Sequence, residues 1–219
     1  IYYYWCCTFN MNEYNPSEKS GILYNFLDLP IVYKFFQFLL RKFNTHQRLF
    51  NEIIDLKNNS VVFDCGCGPG TYRNYLNTDK YIGIDINSKH IESAKKKFPE
   101  DQFFTEDLLN IGRLSISRID SVIMIGILHH LDDDTCKKLF KDLHNKLSNG
   151  GEIFTLDPVY IQKQRLIAKY LATKDKGDFV RKPIDYENLI PKSFKVKSCV
   201  INNLLRVPYD HYFMKIQKL

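Results

Sequence analysis

An α/β fold, built on a doubly wound and mostly parallel sheet, is predicted for this 219-residue chain by three observations. Short apolar, β-branched runs alternate with helix-length segments from residue 61 to residue 156. The first of these runs, VVFD, ends in an acid, Asp64, and breaks into a turn carrying Gly66, Gly68 and Gly70. Two more acids follow at even spacing at the ends of the next two strands, Asp85 in YIGIDIN and Asp107 in FFTEDLLNI.

Residues 22–56 have the apolar spacing of helices, with Ile31, Phe35, Phe38, Leu39 and Phe43 on one stripe and Pro30 suited to a first turn. The alternation then reads strand 61–64, helix 71–76, strand 81–85, helix 88–97, strand 102–105, strand 119–125, helix 133–147 and strand 152–156. Pro99 stops the helix that starts at Ser88, and Asn149-Gly150-Gly151 closes the one before the fifth strand. Strands alternating with helices of this length give right-handed parallel crossovers. An insertion, 158–192, interrupts the rhythm with an expected helix at 161–172, a turn at Lys176-Gly177 and a short helix near 185–190. The last residues alternate as two strands joined by a loop that holds His211.

The glycines and acids carry the chemistry. Glycine allows positive φ in a tight turn and leaves bare backbone against a ligand. A strand, such a turn and then a helix form the usual cradle for an adenosine-bearing group, with backbone N–H groups turned to it. A dinucleotide fingerprint reads G-x-G-x-x-G. Here the pattern is G-x-G-x-G with an acid two residues before the first glycine, which suits a cofactor without a pyrophosphate. Asp85 can accept both ribose hydroxyls through its two oxygens, and Asp107 an adenine amino group, with Leu108 over a ring face.

At these residues the chain resembles the class I S-adenosylmethionine-dependent methyltransferases. Asp64, Gly66, Gly68 and Gly70 match the first motif of that family, and Asp85 and Asp107 its ribose and adenine acids. IDSVIMIGILHHLDD (119–133) matches its fourth-strand segment and NGGEIFTLDP (149–158) its fifth. The resemblance implies a Rossmann-like, mostly parallel seven-stranded sheet with an antiparallel last strand, a helical N-terminal lid to which Tyr24 and Tyr33 would belong, and S-adenosyl-L-methionine as cofactor. It also brings Cys67, Ile86, Leu108 and Gly126 to the cofactor. A second, less specific resemblance rests on DPVY, Gln164-Arg165, DKGDFVR (175–181), Tyr186 and VPYDHYFM (207–214). These are similar to a subgroup of bacterial methyltransferases found with surface-polysaccharide genes. Lys176 and Asp210 depart from the subgroup's D-R-G and P-Y-T-H patterns.

Composition sets the outer bounds. A hydrophobic fraction of 44% and this length suit one domain at 21–219, preceded by an extension at 1–20. The first residue is Ile, so the extension reads either as the linker from a longer, multidomain chain or as an artificial start. Residues 1–9 are too short and lack the basic leader of a signal peptide, and no run reaches a membrane span. Six cysteines without framework spacing fit a buried, reduced, cytoplasmic set, and no metal-ligand spacing is present. Residues 161–219 hold 13 Lys/Arg against 5 Asp/Glu, while residues 1–160 hold 18 against 20, so the whole excess of the net charge of +6 lies in the last quarter. A basic region beside the substrate opening is compatible with an anionic acceptor.

Ligands of open α/β sheets lie outside the carboxyl ends of the strands. That selects His129, His211 and Asp157 as candidates for proton abstraction, and His130, Tyr160, Arg165 and Arg181 as acceptor-binding residues. Adjacent His129 and His130 point about 100° apart in a helical turn, against a shared metal. The leading expectation is O-methylation of a small-molecule or sugar acceptor. An RNA acceptor and a non-catalytic cofactor-binding scaffold are the alternatives. The RNA reading is weakened because no Asn/Asp-Pro-Pro-Tyr/Phe follows the fourth strand.

Overall fold

The structure, a computed structural model, describes residues 45–219 apart from 57–59, 79, 117, 176 and 203. Residues 1–20, most of the predicted N-terminal helices, Tyr24, Tyr33 and Lys176 therefore lie outside the described residues.

Seven strands form one sheet: β1 (Val61–Cys65), β2 (Lys80–Asp85), β3 (Gln102–Thr105), β4 (Ile119–Ile125), β5 (Leu147–Pro158), β6 (Phe194–Ile201) and β7 (His211–Lys218). Their order across the sheet is β3-β2-β1-β4-β5-β7-β6. β1 to β5 pair in parallel, and β7 runs antiparallel to both β5 and β6. The order reverses between β1 and β4, which opens the crevice where such sheets bind ligands. Because β7 runs backwards, its first residue, His211, pairs with Pro158 at the end of β5. The start of the last strand thus reaches the same sheet end as the carboxyl ends of the parallel strands.

Both faces of the sheet are buried, as parallel strands require. One face sets Phe63, Ile82, Met124 and Ile153 against Cys136, Leu139, Phe140 and Leu143. The other sets Val62, Tyr81, Ile123 and Phe154 against Ile91 and Ala94, and against Leu49 and Phe50 from the segment entering β1. That segment is a short α1 (Thr45–Arg48) running into a π-turn, Leu49–Ile53. The helices that cover the sheet are α2 (Ser88–Lys97), capped by Asn87 accepting from Lys89 and His90 N–H, and α3 (Asp133–Lys146), capped by Asp132 accepting from Thr135 N–H. The insertion adds α4 (Leu166–Thr173) and α5 (Pro183–Glu187), the latter with Pro183 in its first turn.

Four expectations need correction. The helix at 71–76 is a single 3₁₀ turn, Arg73–Tyr75, because only nine residues separate Gly70 from β2. Arg73 closes it through Nη1 to the Leu76 carbonyl and pairs through Nε with Asp101 at 2.5 Å. The helix before β5 ends at Lys146, and Leu147 already belongs to the strand, so the Gly150-Gly151 pair lies within β5 rather than capping the helix. His211 stands in β7, not in the preceding loop. Cys199, on the edge strand β6, is exposed, whereas Cys65, Cys67 and Cys136 are buried free thiols.

Candidate active site

The glycine turn is built as the sequence requires. Gly66, Gly68 and Gly70 have φ of 73°, 54° and 72°, a region that other residues enter at a cost. Its N–H groups do not all look outward. Gly66 and Cys67 donate to the Ile84 carbonyl at 2.8 and 3.0 Å, and Gly68 donates to Asp85 Oδ2 at 2.9 Å. The turn is therefore pinned to the end of β2, and what it offers a ligand at these residues is bare backbone shape more than donors. Asp85 Oδ1 accepts from Asn87 N–H at 2.8 Å, with His90 Nδ1 at 3.7 Å. A carboxylate has about four lone-pair sites, so two backbone donors leave room for two hydroxyls. The residues present fit an adenosine ribose.

Asp64 is buried at the end of β1 and accepts the Tyr81 hydroxyl at 2.6 Å. Burial raises its pKa to about 7; the Tyr81 hydrogen bond acts against this and Asp85 adds to it. Asp107 caps the 3₁₀ segment Leu108–Arg113 through Leu109 N–H at 2.8 Å, just past the end of β3. Ile86 is 55% exposed beyond β2, and Gly126 (φ 72°) turns the chain after β4 while donating to the Leu156 carbonyl.

Beyond β4 and β5 lies a buried polar cluster. His129 Nδ1 and Asp157 Oδ1 are 2.8 Å apart, and the His129 backbone N–H reaches the same oxygen at 3.3 Å. On its other side, His129 Nε2 lies 3.2 Å from Asp175 Oδ1. Asp175 Oδ2 accepts the Tyr209 hydroxyl at 2.5 Å, and Gly177 N–H donates to Asp175 Oδ1 at 3.1 Å. Burial opposes charge on the imidazole, but Asp175 and Asp157 together raise its pKa to about 9. His130 packs its ring on that of His129 at 4.1 Å, and the Tyr209 and His211 rings meet edge to face at 5.1 Å. Burial pushes His211 down to about 3, so it is neutral at physiological pH. Asp157 Oδ2 and His211 Nδ1 are buried with no hydrogen-bond partner among the described residues.

Arg181 was expected at the acceptor, but the structure uses its donors elsewhere. Nε and Nη2 hold Asp133 Oδ1 at 2.9 and 2.7 Å, Nη1 holds the Leu128 and Phe179 carbonyls at 2.8 and 2.9 Å, and Nη2 the Leu131 carbonyl at 2.7 Å. All five N–H groups of the guanidinium are engaged, which makes Arg181 the clamp between the insertion and the turn after β4. Arg165 is exposed, bonds the Asn202 carbonyl at 3.1 Å and stands 3.7 Å from Asp210. Tyr160 is half-buried against Ala172, Leu205 and Tyr209.

Asp175 and Tyr209 were missed as site residues, although both lie in segments noted for their likeness to the polysaccharide-associated subgroup. Gly177 gave the available signal. A Cβ there would lie 2.3 Å from His129 Cδ2 and 2.4 Å from the His129 carbonyl oxygen, so only glycine lets the insertion close over the histidine.

A family model described as a methyltransferase domain matches residues 62–151, from β1 into β5. Over these residues the chain is similar to the class I S-adenosylmethionine-dependent methyltransferases. The cofactor of this family is S-adenosyl-L-methionine. The chain is 27% identical over 124 residues to an uncharacterised methyltransferase of Oceanobacillus iheyensis, covering 56% of this chain and 57% of that one. It is 31% identical over 110 residues to the tRNA (carboxymethyluridine(34)-5-O)-methyltransferase of Arabidopsis thaliana, covering 50% and 26%. It thus spans little more than half the length of the first curated relatives it matches. In fold it is similar to the N-methyltransferase NodS of Bradyrhizobium japonicum, solved with S-adenosyl-L-homocysteine, at a TM-score of 0.59 and 12% identity over 88% of this chain and 90% of that one. Among the described residues no helix is long and apolar enough to cross a membrane.

Proposed function

We propose that this chain transfers a methyl group from S-adenosyl-L-methionine to a hydroxyl oxygen of a small-molecule or carbohydrate acceptor. The observation that carries the reading is the pairing, at one end of one sheet, of the pinned glycine turn with buried acceptor atoms. Asp85 Oδ1 and Oδ2 sit at the cofactor side, and the open Asp157 Oδ2 and His211 Nδ1 sit at the β5–β7 side. Buried acceptors without donors match a ligand that brings hydroxyl hydrogens.

In this reading Asp85 holds the ribose hydroxyls, Asp107 the adenine amino group, and Asp64, Cys67, Gly126, Ile86 and Leu108 line the rest of the cofactor's bed. His130, Tyr160 and Arg165 border the acceptor, with the 158–192 insertion as one wall and residues 21–219 as a single domain. The buried thiols Cys65, Cys67 and Cys136 suit a reducing, cytoplasmic setting. Calorimetric titration with S-adenosylhomocysteine, followed by labelled methyl transfer to a panel of monosaccharides and methyl glycosides, tests the proposal. No heat at millimolar ligand would sink it.

An RNA acceptor is the second reading. It is favoured by the tRNA-methyltransferase name of the Arabidopsis relative and by Lys195 and Lys197, exposed on the edge strand β6. Phosphate binding is salt-dependent. Tight RNA binding that falls steeply between low and physiological salt would favour it over the sugar reading.

A further inference from the structure

The DKGDFVR insertion segment meets the turn after β4 at every alternate residue. Asp175 pairs with the His129 ring, Gly177 lies against its edge and carbonyl, Phe179 N–H donates to the His129 carbonyl at 3.0 Å, and Arg181 grips Leu128 and Leu131. From the other side Tyr209, just before β7, donates to Asp175. The insertion segment, braced by Tyr209, thus holds one nitrogen of the imidazole, and Asp157 at the end of β5 holds the other. Both ring nitrogens are occupied by carboxylate oxygens, and the ring is 2% exposed. An imidazole held in this way donates twice and has no lone pair left to accept a proton.

We propose that Asp175 and Tyr209 are positioning residues that fix His129 with both ring nitrogens engaged, so that the open Oδ2 of Asp157, and not a His129 nitrogen, is the atom that takes up the acceptor's proton. This rests on the methyl-transfer reading above. As the acceptor oxygen bonds to the methyl carbon, the carbon–sulfur bond breaks and the oxygen's proton passes to Asp157. His130 and the neutral His211 flank the ring, and the Arg181 guanidinium is already matched by Asp133.

The test needs no acceptor. Nitrogen-resolved NMR of uniformly labelled protein reports whether the His129 ring carries one proton or two. In the wild type it should carry two at pH 7 and lose one only near pH 9. Asp175→Asn keeps the shape and removes the charge; it should lower the His129 titration midpoint by at least about one pH unit, a tenfold change in proton affinity. Tyr209→Phe removes one hydroxyl and should speed solvent exchange of the Nε2 proton about tenfold, since the carboxylate loses its anchor. It also serves as the second probe should the asparagine variant fail to fold. A singly protonated His129 at pH 7 in the wild type, or a ring unmoved by these changes, overturns the proposal. S-adenosylhomocysteine affinity, measured on the same samples, should stay within about threefold of wild type. Failure of the wild type to bind would refute the methyl-transfer reading while leaving the His129 result to decide the positioning.

Discussion

Asp157 Oδ1 receives both the ring Nδ1 of His129 at 2.8 Å and the His129 backbone N–H at 3.3 Å, so the end of β5 clasps the turn that leaves β4. One oxygen is committed to architecture and the other, Oδ2, is left open. Asp157→Ala should therefore weaken the fold as well as the chemistry. A hydrogen bond to a charged group contributes about 1.5–3 kcal/mol, and urea denaturation should show a loss in that range. Asp157→Asn should lose less, because its carbonyl can still accept from the backbone N–H.

The pH dependence of stability should carry the signature of His129. Its folded-state pKa of about 9 lies above its ordinary value of 6.5, so the charged form is favoured by folding. The stabilisation is fully present below pH 6.5 and is lost as pH rises through 9. Asp64, raised to about 7, and His211, lowered to about 3, change protonation mainly below that window. Denaturant midpoints should fall steadily between pH 7 and 9 in the wild type. In His129→Asn the decline should flatten, and an equally steep decline would assign it to other groups.

Asp85→Ala should reduce S-adenosylhomocysteine affinity at least tenfold, since two hydroxyl hydrogen bonds to a charged acceptor, about 1.5–3 kcal/mol each, go with the carboxylate. The same change leaves Gly68 N–H and Asn87 N–H without their partner and loosens the turn. Calorimetry reads the affinity and circular dichroism the fold. Unchanged binding would show that the ribose is held elsewhere.

The sheet was legible because its signals are local. Apolar β-branched runs, the glycine turn and the Pro99 stop each depend on neighbouring residues, and α2 lies at 88–97 as those signals predict. The helix expected at 71–76 was lost to a length constraint that periodicity does not express, for its apolar pattern was adequate and its crossover too short. His211 was placed in a loop because nothing local reveals that Asp157 and Pro158 extend β5 far enough to pair with Tyr212 and His211. The cluster around His129 was half legible. Asp157 and the histidines stand at strand ends, where α/β chemistry is sought, but Asp175 meets His129 across 46 residues of chain through an insertion without regular pattern. Arg181 shows the converse error. A basic residue near the opening was read as an anion binder, while its five donors satisfy carbonyls and a carboxylate of the protein itself.

Arg181→Lys should be far from conservative. A lysine ammonium has three donors on a flexible stem and cannot reproduce a planar fork that bridges Asp133, Leu128, Leu131 and Phe179. Buried carbonyls left without a donor cost about 1–3 kcal/mol each. Thermal unfolding should move down by several degrees, with faster protease cleavage in 174–182 as the insertion lifts. An unchanged midpoint would show that the guanidinium contacts are dispensable.

Gly177→Ala tests how closely the insertion is fitted to the histidine. The added methyl would lie 2.4 Å from the His129 carbonyl oxygen, which is backbone already accepting from Phe179 N–H and unable to give way cheaply. Overpacking of this kind costs about 1–3 kcal/mol. The strain can be relieved by moving the loop, and moving it pulls Asp175 from Nε2 of His129. The variant should therefore lose stability and also lower the pH at which His129 gives up its second proton, although no charge has been changed. A variant that loses stability while His129 titrates as in the wild type would separate the packing of the insertion from its hold on the ring.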